Sequence, residues 1–210
     1  MPAQSHQRNG PTAAPLQAWI IECTAIIVRC VLHRESPLPH TTKLIYQGRV
    51  LQLGIESLTL PHGKSLELEV VRHPGGAAVV ALDHQDQVCL LRQYRHAGGG
   101  WLWELPAGRL EAHEQPRNTA ARELLEEAGL QASRWDNLGE TLVSPGYSDE
   151  VIYLYLARDL TVVPAQPEEH ELIEVHWIPF DQALGQVYDG TIIDAKTMLG
   201  LTLAGKFIRE

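Results

Sequence analysis

The chain has 210 residues, 44% of them hydrophobic, and a formal net charge of −9. That length suits one domain, or one with a small appendage, and that apolar share suits a globular core. The charge argues against a general binder of nucleic acid or anionic membranes, so a phosphate-bearing ligand would need local arginine, lysine or metal to offset the field.

Three cysteines, Cys23, Cys30 and Cys89, are too few and too scattered for a disulfide framework or a zinc site. A reducing cytoplasm is the expected setting. The ten histidines show no HxxxH or HExxH spacing and read as surface residues. Residues 1–16 are polar and carry Pro and Gly, which predicts disorder. Residues 17–33 (QAWIIECTAIIVRCVLH) are apolar but hold Glu22 and Arg29, so they are too short and too charged for a membrane helix. They also lack the basic start and small-residue cleavage site of a signal peptide. An amphipathic helix, a buried strand and a start placed too far upstream all remain open. Residues 1–40 therefore read as an extension.

From Lys43 to Arg72 the pattern is β. KLIYQGRVLQLGIESLTL alternates in part, PHGK at 61–64 signals a hairpin, and SLELEVV at 65–71 has period-two alternation. Three short strands cannot bury a core alone, so they need the main domain or a second subunit. Ala77 to Leu82 and Val88 to Tyr94 are two strands joined by DHQDQ; the first is apolar on both faces and should be central. Arg92 and Arg95 follow in LLRQYRH, and each is either surface charge or a fork for phosphate oxygens. AGGG at 97–100 is a glycine loop. In WLWELPAG at 101–108, strand geometry puts Trp101 and Trp103 on the face opposite Glu104, as core or as a base-stacking pair.

Gly108 to Leu130 reads GRLEAHEQPRNTAARELLEEAGL. Pro116 suits a first helical turn and Gly129 the residue past the end. Between them Ala120, Leu124 and Ala128 form an apolar stripe. Glu123, Glu126 and Glu127 crowd one side near the C-terminus, where the helix dipole disfavours anions. The bland reading is a solvated acidic face. A bound cation would reverse each unfavourable sign.

Gly108, Glu114, Arg122, Glu123, Leu124, Glu126, Glu127, Gly129 and Leu130 match all nine specified positions of the Nudix box, and the chain resembles the Nudix hydrolase family. The resemblance implies an α+β fold: an α/β/α sandwich around a mixed sheet in residues 75–210, preceded by a small antiparallel sheet in residues 41–74 that makes a homodimer. It also implies a Mg²⁺-dependent (or Mn²⁺-dependent) pyrophosphatase acting on a nucleoside diphosphate linked to another group, in the cytoplasm, with no nucleic acid or membrane as partner. Glu123 and Glu127 would hold metal with Glu126 and the Ala107 carbonyl, and Arg122 would fix the neighbouring acids.

The likeness is nearest to ADP-ribose pyrophosphatases, whose products would be AMP and ribose 5-phosphate. ELPAG puts Glu104 near substrate and metals; QYR makes Arg95, ahead of Arg92, the phosphate contact; Arg72 opens the segment that enters the catalytic domain and counts among the substrate contacts; Pro145, sixteen residues beyond Gly129, accompanies ADP-ribose preference. After the apolar strand Val151 to Ala157, the loop 161–171 supplies Glu171 or Glu169 as general base, with Glu171 also a metal ligand. A strand Leu172 to Ile178, a short helix capped by Asp181, and a last helix starting at Asp194 complete the chain, GTIIDAKT resembling the family's C-terminal pattern. Within the family, nucleotide sugars and dinucleoside polyphosphates are the alternative substrates. A non-catalytic ligand sensor is a further alternative.

Overall fold

A computed structural model describes residues 37–166 and 170–208. The expectations for the apolar run 17–33 and for Glu169 lie outside the described residues. Strands β1 (His40–Gln47), β2 (Gln52–Thr59) and β3 (Ser65–Arg72) form a three-stranded antiparallel sheet in that order. The hairpin at Pro61–Lys64 closes through the Leu60 N–H, which donates to the Lys64 carbonyl at 2.9 Å, and Gly63 takes the positive φ of 84° that the turn needs. β1 is exposed along its whole length.

The larger sheet contains β4 (Gly76–Leu82), β5 (Gln87–Arg95), β6 (Gly100–Glu104), β7 (Ala107–Arg109), β8 (Leu130–Leu142), β9 (Val151–Val162) and β10 (Ile173–Pro179). Its order is β10-β5-β4-β9-β8, with β6 on β5 and β7 on β4. β4 and β9 run parallel while the other pairs are antiparallel, so the sheet is mixed. Three helices pack on it: α1 (Pro116–Ala128), α2 (Phe180–Tyr188) and α3 (Ala195–Ile208).

β4 explains the layering. Every residue of this strand is buried, so its two faces feed two cores. Ala78, Val80 and Leu82 pack with Leu90, Leu154, Phe180 and Leu201, beneath α2 and α3. Ala77, Val79 and Ala81 pack with Cys89, Ala120, Leu124 and Leu130, beneath α1. The result is the α/β/α sandwich with a small antiparallel sheet ahead of it. Among the described residues no helix is long and apolar enough to cross a membrane.

Four local features depart from the sequence pattern. β8 follows α1, yet its polar sequence LQASRWDNLGETL gives no strand signal. Only Leu130 and Leu138 of this strand are buried, and a register shift between Asn137 and Gly139 interrupts its alternation. β9 runs to Val162 rather than ending at Ala157, because Leu130 of β8 pairs with Val162. Asp181 lies in the first turn of α2, whose cap residue is Pro179 with no side-chain cap bond. The two tryptophans share a face and line one groove, but they differ in burial: Trp103 packs against the core, whereas Trp101 is 42% exposed and meets the Tyr94 ring edge-on.

Leu154 is fully buried in β9. Replacing it with alanine should cost about 2–5 kcal/mol, the range for truncating a core leucine. Val162 in the same strand is 81% exposed, and its alanine variant should stay within about 0.5 kcal/mol of wild type. Urea unfolding curves measure both, and equal losses would contradict this core.

Candidate active site

α1 begins with Pro116 and ends at Gly129, whose φ of 65° is left-handed and whose N–H closes on the Leu125 carbonyl at 3.0 Å. Its buried residues are Thr119, Ala120, Glu123, Leu124 and Glu127. The two box glutamates therefore share the sheet-facing side with the apolar stripe, and the solvated-face reading fails. Only 3% of Glu127 and 8% of Glu123 is exposed.

Two backbone features of β7 admit these carboxylates. The Ala107 N–H donates to Glu127 Oε2 at 2.8 Å. At Gly108 a Cβ would overlap the Glu123 carboxylate, so any other residue would displace that carboxylate from its place. Arg122 then ties the acids together. Its Nε and one Nη donate to the two oxygens of Glu114 at 3.1 Å each. The other Nη donates to Glu123 Oε1 at 2.7 Å and Glu126 Oε2 at 3.0 Å, and the Arg109 carbonyl accepts a fifth bond at 3.1 Å. These five bonds match the five N–H donors of a guanidinium. The Arg122 hydrogen bonds hold the Glu114 carboxyl down to about 2. Burial pushes Glu127 up to about 8; the charges of Glu123 and Glu171 add to that rise, and the Ala107 N–H opposes it. Burial also raises Glu123, against the Arg122 charge.

Glu123, Glu126, Arg122, Ala107 and Gly108 line a cleft of about 410 Å³ with Arg95, Lys196, Glu150, His73 and Glu171. Glu171 arrives on a loop anchored at both ends. The Val163 and Gln166 N–H groups donate to the carbonyls of Gly129 and Glu126, and the Leu172 carbonyl accepts from Tyr94 N–H. Glu104 is not on the cleft wall. It sits behind it, 2% exposed, accepting from Arg95 Nε and Nη2 at 3.0 Å each and from Lys196 Nζ at 2.6 Å. Burial pushes this carboxyl up, but the Arg95 hydrogen bonds and the Lys196 charge outweigh it and leave it below its usual range.

The remaining sequence candidates lie elsewhere. Arg92 and Arg95 are three apart in β5 and so take opposite faces; Arg92 stacks 5.2 Å over the Trp103 ring, beside Glu174 and His176, away from the cleft. Arg72 pairs with Glu56 and, at 3.1 Å, with Asp149, on a neighbouring groove. Pro145 lies in the turn Ser144–Ser148, where the Ser148 N–H closes on the Ser144 carbonyl at 2.9 Å. Lys196, His73 and Glu150 join the cleft with no role assigned to them from sequence. The signals were present in DAKT and RHPG, but neither spacing says which way a side chain faces.

A buried carboxylate pair at i and i+4, a glycine beside it and an arginine bonding one of the pair and two further acids are now in view, and residues 72–199 match the NUDIX domain family. The chain belongs to the Nudix family. It is 37% identical to an ADP-ribose pyrophosphatase of Bacillus subtilis over 73% of this chain and 84% of that protein. A Mycobacterium tuberculosis ADP-ribose pyrophosphatase is 38% identical over 77% of this chain and 79% of its own. A methanol dehydrogenase activator of Bacillus methanolicus is 36% identical over 76% and 88%.

Nudix hydrolases generally use divalent metal ions, and the donors here fit one. Glu123, Glu126 and Glu171 line the cleft with the carboxylate oxygens that a hard cation prefers. The raised carboxyls mark negative charge that burial leaves poorly compensated, and a divalent cation discharges it. Arg122 holds Glu123 and Glu126 meanwhile, and among the described residues no three His, Cys, Asp or Glu side chains are gathered into a closed metal site.

The sign of the pH effect follows from Glu127. Its folded pKa of about 8 exceeds the ordinary 4.5, so between those values the fold holds a proton that the unfolded chain has lost. Stability in chelator should fall as pH rises through that window. Glu127→Gln should flatten the slope, keep or raise stability at pH 8, and cut kcat with metal by at least ~10²-fold. Thermal melts with and without chelator, beside initial rates, check each part; unchanged turnover would remove Glu127 from the site.

Proposed function

We propose that this Nudix protein hydrolyses ADP-ribose to AMP and ribose 5-phosphate, with Mg²⁺ (or Mn²⁺) as cofactor. The observation that carries this is a single cleft lined by the carboxylates Glu123, Glu126 and Glu171 and by the cations Arg95 and Lys196, with Glu127 buried outside its lining. That charge arrangement suits a diphosphate bridged to metal, and the relatives named as ADP-ribose pyrophosphatases give the substrate. Bound metal supplies Lewis acidity toward the diphosphate and makes water nucleophilic.

The chain's own groups do the rest. Glu123 and Glu127, with Glu126 and the Ala107 carbonyl, hold the metal. Arg122 keeps those carboxylates in one rotameric arrangement while Glu114 keeps Arg122. Arg95 contacts substrate phosphate. Glu171, which also counts among the metal ligands, accepts the proton of the attacking water from a loop outside the box. Glu169 is the competing base.

The small sheet supports a homodimer. Leu44, Ile45 and Tyr46 of β1 are 55%, 49% and 58% exposed, more apolar surface than one strand of a monomer usually shows. A cytoplasmic site follows from the cysteine content and remains part of this proposal.

Glu171→Gln should lower kcat by roughly 10²–10⁴-fold with little change in KM, and Glu169→Gln should lose much less. A reversal of that order would make Glu169 the base. A screen over ADP-ribose, nucleotide sugars, diadenosine polyphosphates and nucleoside triphosphates tests the substrate, and a better rate on any other class would replace ADP-ribose.

Ile45→Asp should convert the dimer to a monomer in light scattering, since a buried unpaired charge opposes a stable interface. A wild-type monomer would sink that part.

A further inference from the structure

Arg92, Trp101 and Trp103 do not line the cleft, yet they meet in a place of their own. Arg92 stands directly across from Trp103 in the β5–β6 ladder, and Tyr94 across from Trp101, so all four side chains leave the same face of the sheet. On the other side of β5, Glu174 of β10 is the register partner of Arg92. Arg92, Trp101, Trp103, Glu174 and His176 line a groove of about 220 Å³. It shares no lining residue with the cleft, whose Arg95 comes from the opposite face of β5.

Trp103 is fixed by the core on which it packs and by the His176 ring, which meets it edge-on with centroids 4.9 Å apart. The Arg92 guanidinium lies over that indole, 5.2 Å from its centroid, in a cation–π contact that holds the cation in the groove. Its charge is otherwise unanswered. Among the described residues no carboxylate lies within ion-pair distance of Arg92, and no hydrogen bond uses its donors. Its neighbour across the ladder, Glu174, lies 3.4 Å from His176 Nε2 instead. The cleft arginines differ, since Arg95 and Arg122 are both held by carboxylates. Trp101 completes the groove with 42% of its surface in solvent.

We propose that this groove binds a nucleoside 5′-monophosphate. An exposed indole is a surface on which a base stacks, and a guanidinium with free donors is a fork for phosphate oxygens. Glu174 supplies an acceptor for ribose hydroxyls. A polynucleotide is the poorer occupant, because it draws its affinity from a track of cations and this chain has a net charge of −9. A protein partner is poorer as well, since a stable interface buries about 800 Å² on each side and a groove of this volume takes a base and little more. The groove is separate from the hydrolysis proposed for the cleft, and neither reading rests on the other.

The test is calorimetric titration of the full chain with AMP, adenosine and ribose 5-phosphate. Chelator is present throughout, to suppress metal-dependent binding in the cleft. AMP should bind wild type more tightly than either fragment does. Trp101→Ala should weaken AMP and adenosine alike by at least ~5-fold, the low end for loss of one stacked base. Trp101→Phe keeps a ring and should hold AMP within about threefold of wild type, which covers the case in which the alanine variant folds poorly. Arg92→Gln should weaken AMP by at least ~5-fold and leave adenosine within about twofold, because only the phosphate loses a partner. Glu123→Gln should leave AMP binding within about twofold.

A wild-type chain that binds no AMP in chelator overturns the site. So does AMP binding that survives both Trp101→Ala and Arg92→Gln, or that falls with Glu123→Gln, since AMP then occupies the cleft. A wild-type chain that binds AMP through Trp101 and Arg92 but does not turn over ADP-ribose overturns the substrate reading and leaves the groove standing.

Discussion

Two carboxylates one helical turn apart are buried between α1 and β7, and much of the molecule exists to tolerate them. Like charges at this spacing repel, and removal from water makes the repulsion stronger. Small residues answer this at Ala107 and Gly108: one lends an N–H to Glu127, the other leaves the volume that the Glu123 carboxylate fills. A Cβ at Gly108 would push the Glu123 carboxylate out of that space. Gly129 then turns the chain sharply into β8, and its carbonyl anchors the later loop that carries Glu171.

The same constraint sorts charge across the cleft. The acids of α1 cannot all be neutralised by Arg122, which divides its donors among three carboxylates and a carbonyl. Their burial leaves a standing demand for positive charge, and the pKa of Glu127 records it. Arg95 and Lys196 line the same cleft, and both donate to Glu104, which is outside its lining. Acids that would hold a metal and cations that would meet anionic oxygens therefore border one space.

Sequence made the local features legible and left the long-range ones hidden. The bounds of α1 followed from Pro116 and Gly129, whose roles depend on one residue's backbone. β4 was readable as a central strand because AAVVAL has no polar face to offer solvent. Period two separates Arg92 from Arg95, but it does not say which face meets the cleft; the packing of Trp103 against the core decides that. Glu123 and Glu127 were visible as a crowded pair, while the side they face depends on a glycine fifteen residues earlier in another element. β8 escaped because only Leu130 and Leu138 of its thirteen residues are buried, which leaves no apolar alternation to read. Lys196 escaped because its partner Glu104 is 92 residues away.

That last separation bears on how the protein is made. Synthesis proceeds from the amino terminus, and early segments begin to organise before later ones exist. The Nudix box and its helix emerge with the buried carboxylates already encoded, yet Leu105 finds its hydroxyl partner, and Glu104 its lysine, only when the final helix arrives. Until then Glu104 has Arg95 alone, and the Phe180 and Leu201 side of the core is bare. The nascent chain therefore cannot complete its cleft until Lys196 and Thr197 have left the ribosome. The helix Ala195–Ile208 thereby acts as the latch on the folding of segments made long before it.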